Sequence, residues 1–376
     1  MIHLAAPDIE EEEIQAVVSV LKSGMLVQGP QVALFEQTMQ SWLTPQHQAV
    51  AVSSGTAALH LSLLALGVGP GDAVILPAYS WPATANVIEL TGARPVFTDI
   101  EARTFGMSAE GLESAIGKAR SLPGTRLTAV MVVHAFGTLP DMDALLAICE
   151  ARGLPLIEDA ACAIGASWKT RPAGTLGLMG CFSFHPRKIV TTGEGGLVCT
   201  GDETLVRKLR ALRNHGLDPD APGPDFIAPG FNYRMTDFQG ALGVAQLRKL
   251  ADMLADRKTL ADRYDALFAG SRVRPQGHPA ACAPNRQAYV VALPPTTDRD
   301  TVIARLKDAG IASTIGTWHI PLIRCYRERY GYRPGDFPVA DGVFAHALTL
   351  PLHRRMSPDD VDCVAGTLLR IVDALG

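Results

Sequence analysis

No apolar run in this sequence approaches the roughly 18 residues that crossing a bilayer requires, so no membrane span is expected. Excess basic charge is missing too. Lys and Arg number 34 against 38 Asp and Glu, a formal charge of −4, with no basic run or stripe. That composition speaks against nucleic acid as a partner. The seven cysteines never form a CxxC pair, and an odd count argues against a disulfide framework. His and Cys do not cluster at ligand spacing, so no structural metal is expected. GxGxxG and the P-loop pattern are both absent, which weakens a dinucleotide or nucleoside triphosphate site. The opening MIHLAAPDIEEEE is acidic where a secretory signal would be basic and then apolar. The expectation is a cytoplasmic protein with reduced thiols.

What is present suits a large, well-packed globular chain. Length, 376 residues, suggests two domains, and 47% hydrophobic residues against 19% charged can bury a sizeable core. From Ala49 to about Leu250, short apolar runs alternate with helical ones: AVAV, AVILP, ARPVFTDI, LTAVMVVHAFG, LPLIED and GCFSFHPRK. They lack polar alternation, which predicts strands buried on both faces of a parallel sheet flanked by helices. GGLVCTGD follows too closely to cross over, so it is predicted to return antiparallel. Beyond Leu250 the texture changes to a long charged helix, a proline-rich passage and two further helices. This predicts a large α/β domain over residues 1–250 and a smaller α+β domain over 251–376, the latter packed by the N-terminal helix.

In an open α/β sheet, ligands lie beyond the carboxyl ends of the strands. That rule gathers Ser53 to Thr56, Trp81, His134, Glu158, Asp159 and Ser183 to Lys188 around one crevice. Lys188 stands apart from the other lysines, which sit in charge-mixed helix faces or, for Lys169, in a polar hairpin. It follows a core strand and precedes the glycine-rich turn TTGEGG. Desolvated there, a lysine becomes a nucleophile; the bland reading is a side chain snorkelling from a strand end. SSGT offers a helix start suited to phosphate, or a plain N-cap. Asp159 pairs with a ligand cation, or caps the next helix. Trp81 stacks on a planar ring, or fills the core. Taken together, a phosphate cradle, a strand-end carboxylate, an aromatic plate and a lone lysine match the needs of pyridoxal phosphate.

The chain also resembles the DegT/StrS-type sugar aminotransferases, a branch of the fold-type I pyridoxal-phosphate enzymes. The resemblance runs nearly end to end, through SGMLVQGPQVALFE, SSGTAALHLSLLALGVGPGD, PAYSWPATANVI, VVHAFGTLPDMDAL, IEDAACAIGA, CFSFHPRKIVTTGEGG, RNHG, GFNYRMTDFQGALGVAQL, GYRPGDFPVAD and LPLH. It implies an aspartate aminotransferase-like fold with a mostly parallel seven-stranded sheet. It further implies that Lys188 bonds the cofactor and Asp159 pairs with its pyridine nitrogen. Trp81 would stack on the ring, while Gly55, Thr56 and Ser183 would take the phosphate. Asn232 would reach the phosphate in a neighbouring subunit's site, and His319 and Arg234 would lie on the substrate side. One position departs from the family: Cys162 stands where many members carry a glutamine read as a partner of the cofactor's ring hydroxyl. A thiol is a poor donor, which leaves that contact missing or taken over by water. Members that dehydrate sugars carry histidine at the lysine position; this chain has Lys188.

The function so implied is amino transfer to a nucleotide-linked keto sugar, of 4-keto-6-deoxy type, with glutamate or glutamine as donor. The enzyme would be a homodimer with shared sites. A cyclitol ketone is the alternative substrate. From another class, the rival is a non-catalytic relative that binds a sugar nucleotide or the cofactor and regulates.

Overall fold

The computed structural model describes residues 1–375. Its centre is a sheet of seven strands: β1 (Gln48–Val52), β2 (Asp72–Pro77), β3 (Arg94–Thr98), β4 (Arg126–Val133), β5 (Leu156–Asp159), β6 (Met179–Ser183) and β7 (Gly196–Thr200), in the order β1-β7-β6-β5-β4-β2-β3. Neighbours from β6 to β3 run parallel, and β7 alone runs antiparallel, between β6 and β1. β2 and β7 are buried along their whole length, which is why their sequences are continuous apolar runs. Helices cover both faces, and each face has its own apolar cluster.

A four-stranded antiparallel sheet forms the second unit, from β8 (Arg274–Pro275), β9 (Tyr289–Ala292), β10 (Thr314–Ile315) and β11 (Ala347–Leu350), in the order β8-β9-β11-β10. A third core holds it against the long helices Leu250–Phe268 and Pro358–Leu375, with Tyr264 stacked on Tyr289 at 4.5 Å. The N-terminal helix, α1 (Glu11–Ser23), lies in the larger unit against the helix Asp237–Arg248, where Glu13 accepts from Gln246 at 2.8 Å. It is the residues before α1 that reach the smaller unit: Ile2 pairs with Ile311, and Asp8 meets Arg354 at 2.9 Å.

Two close approaches fix the strand ends that matter. A Cβ at Gly196, in β7, would come within 2.2 Å of the Ser54 carbonyl. One at Gly55 would meet the Ser183 Cβ at 2.7 Å. Only glycine lets the first turn of α2 (Gly55–Ala65) sit this close to the ends of β6 and β7.

Candidate active site

The strand ends converge on a cavity of about 350 Å³. Lys188 enters it from the loop between β6 and β7. That loop is closed by its own backbone: Lys188 N–H donates to the His185 carbonyl at 2.8 Å, and Thr192 N–H to the Phe184 carbonyl at 2.9 Å. The Lys188 Nζ donates to the Sγ of Cys162 at 2.9 Å.

Asp159 ends β5 and is buried. Burial pushes its carboxyl above the ordinary value of 3.8; a hydrogen bond from the Thr84 hydroxyl at 2.8 Å, another from Ala161 N–H at 3.2 Å, and the charge of Lys188 oppose the shift without cancelling it. Such a carboxylate lacks a full counter-charge, and a protonated ring nitrogen would supply one. On the phosphate side, the Ser54 hydroxyl caps α2 by accepting from Ala57 N–H at 3.1 Å. The N–H groups of Gly55 and Thr56, at the start of that helix, have no intrahelical partner. They line the cavity beside Ser183, which makes an anion cradle. Trp81 lines the mouth with 60% of its surface exposed, an aromatic plate with room for a ring. These residues fit pyridoxal phosphate.

Lys188, Asp159, Gly55, Thr56, Trp81, Cys162 and Ser183 thus share one cavity. The other three named residues do not line it. Asn232 is exposed and bridges to Asn214. Arg234 donates to the Asn214 side chain. His319 is buried against Phe337 and Phe344, with Nε2 3.2 Å from the Asp341 carboxylate, and burial lowers its pKa.

Sequence reasoning missed several supporting groups. Thr84 holds Asp159 from 75 positions away. Glu158, weighed only as a strand-end neighbour, is fully buried on its own terms. Burial opposes its charge, yet His134 at 2.7 Å and the N–H groups of Gly177 and Gly174 hold it below the ordinary carboxylate range. This pair braces the ends of β4 and β5. Asn285 and Gln287 reach in from the smaller unit, and no local pattern marks either one.

Geometry and fold together define an aminotransferase of the pyridoxal-phosphate class. The sequence profile of the DegT/DnrJ/EryC1/StrS aminotransferase family matches residues 7–369, and the chain belongs to that family. It is 38% identical, over an alignment of 387 positions, to the spore coat polysaccharide biosynthesis protein SpsC of Bacillus subtilis (strain 168), covering 97% of this chain and 96% of that one. Among solved structures it is similar to Spr1654 from Streptococcus pneumoniae, described as a candidate sugar aminotransferase in its PMP form. There the TM-score is 0.93 and the identity 32%, over 100% of both chains. The same protein is known in a PLP form. The aminotransferase TlmJ from Streptoalloteichus hindustanus superposes with a TM-score of 0.91 at 34% identity, again over 100% of both chains.

Proposed function

We propose that this chain transfers an amino group from glutamate or glutamine to a nucleotide-linked keto sugar of 4-keto-6-deoxy type. The observation that carries the reading is the cavity shared by Lys188 and Asp159, with the helix-start N–H groups of Gly55 and Thr56 on the same wall. When bound, pyridoxal phosphate supplies an electron sink for the carbon that loses its proton. The chain supplies the rest. Asp159 holds a proton at the ring nitrogen. Gly55, Thr56 and Ser183 anchor the phosphate, and Trp81 covers the ring. Lys188, once its amine is free, would take a proton from the reacting carbon and deliver it to the carbon on the other side of the shared nitrogen. SpsC, by name a polysaccharide biosynthesis protein, and Helicobacter pylori PseC, an aminotransferase of pseudoaminic acid biosynthesis at 25% identity, support a sugar acceptor.

The working unit is a homodimer in the cytoplasm, with Asn232 of one copy completing the phosphate site of the other. Asn232 lies outside its own chain's cavity, and Phe226, Ile227 and Phe231 just before it are exposed. Exposed apolar side chains in one short segment suit a subunit contact. To test the substrate, the pyridoxamine-loaded enzyme is offered nucleotide-linked keto sugars and keto cyclitols. Return of the yellow colour with the first and not the second supports the reading, and the reverse result replaces it.

A further inference from the structure

We propose that Gln287, from the smaller unit, is the positioning residue that sets the Lys188 amine to condense with the cofactor's aldehyde, which would form a carbon–nitrogen bond and release the aldehyde oxygen as water. Its side-chain amide grips the backbone on both sides of the lysine. The Nε2 donates to the Arg187 carbonyl at 2.7 Å, and the Oε1 accepts from Ile189 N–H at 3.0 Å. A planar amide offers a donor and an acceptor side by side without carrying charge. Gln287 is buried, and its own backbone is held at both ends: its N–H donates to Asn285 Oδ1 at 2.9 Å, and its carbonyl accepts from the buried Arg257.

The same short segment controls Cys162. Asn285 Nδ2 donates to the carbonyls of Cys162 at 2.9 Å and Ile164 at 2.8 Å. Two side chains, two positions apart, therefore fix the two loops whose tips meet at the Nζ–Sγ contact. Between them Arg286 adopts φ 55°, a conformation unfavourable for a long side chain. It is pinned there by Asp265 at 2.9 Å and by Arg257, which donates to its carbonyl at 3.0 Å. Strain held in place by surrounding contacts is a mark of positions set for function.

The inference rests on Lys188 being the cofactor-bonding lysine, and the test separates the two claims. Cofactor-free parent, Gln287→Met and Gln287→Glu are mixed with pyridoxal phosphate. Yellow colour, phosphate-anchored binding and melting temperature are followed separately. Met keeps the volume and loses both hydrogen bonds. It is expected to bind cofactor with little change but to form the lysine bond at least about tenfold more slowly. Glu keeps the acceptor and loses the donor, so its rate relative to the parent at the same pH falls at neutral pH and recovers as acid restores an O–H donor. If Met does not fold, the Glu variant's pH-dependent recovery at constant fold decides alone. A parent that never turns yellow overturns the cofactor reading. A yellow parent matched in rate by both variants at neutral pH overturns the role of Gln287 and leaves that reading intact.

Discussion

The Nζ of Lys188 lies 2.9 Å from the sulfur of Cys162. Many relatives are expected to carry at this position a glutamine that faces the cofactor ring; this chain turns a small, weakly hydrogen-bonding group toward the lysine instead. A thiol gives up little hydrogen-bond energy when removed. Cys162→Ala is therefore expected to weaken cofactor binding by less than about 1.5 kcal/mol, measured as the change in dissociation constant. A much larger loss would mean that the sulfur is required to hold Lys188 in place.

In the cofactor-free protein the buried charge of Asp159 is unfavourable. Its folded-state pKa is raised by burial. Its destabilising effect therefore sets in as pH rises from the ordinary value of 3.8 through the raised value, and stays in full above it. Asp159→Asn is expected to melt a few degrees higher than the parent at neutral pH when cofactor-free. That advantage should vanish in acid, where the parent carboxyl is neutral too. With cofactor, the same variant should slow both half-reactions by on the order of 100-fold or more, because the ring nitrogen loses the charge that keeps it protonated. Equal rates in the loaded proteins would leave Asp159 only its local role, accepting from the Thr84 hydroxyl and the Ala161 N–H.

Sharing of sites between subunits makes a quantitative prediction. Lys188→Ala and Asn232→Ala chains, each nearly inactive alone, are co-expressed so that dimers form at random. If each site draws Lys188 from one chain and Asn232 from the other, every mixed dimer has one intact site. Half the dimers are mixed, so about a quarter of all sites should regain activity. No recovery, with mixed dimers present, removes the shared site and leaves the aminotransferase standing.

The strand ends were legible because their chemistry is local. An apolar run that stops at Asp159, or at Ser183 with Lys188 beyond, announces both the strand and the residue facing its end. The sheet then does the gathering, since parallel strands deliver their carboxyl ends to one side. The antiparallel return of β7 was readable for a similar reason: too few residues separate it from β6 for a crossover. Gln287 and Asn285 carry no such mark. They are amides in a proline-rich passage, 98 to 123 residues from the backbone groups of the two loops they hold, and only folding shows what their hydrogen bonds reach. His319 illustrates the converse. The family resemblance suggested the substrate side, while the structure buries the ring near Asp341 and outside the cavity of its own chain.

The central claim is that Lys188 bonds the cofactor, and the visible spectrum of the purified protein tests it directly. With pyridoxal phosphate, the parent chain is expected to be yellow and to bleach on adding the amino donor. Lys188→Ala, folded by its melting curve, is expected to lack the yellow of the lysine-bound form and to fail in both half-reactions. Lys188→Arg should fail as well, since a guanidinium stays protonated. A Lys188→Ala protein that develops the parent's colour and turns over near the parent rate would contradict the account at its root.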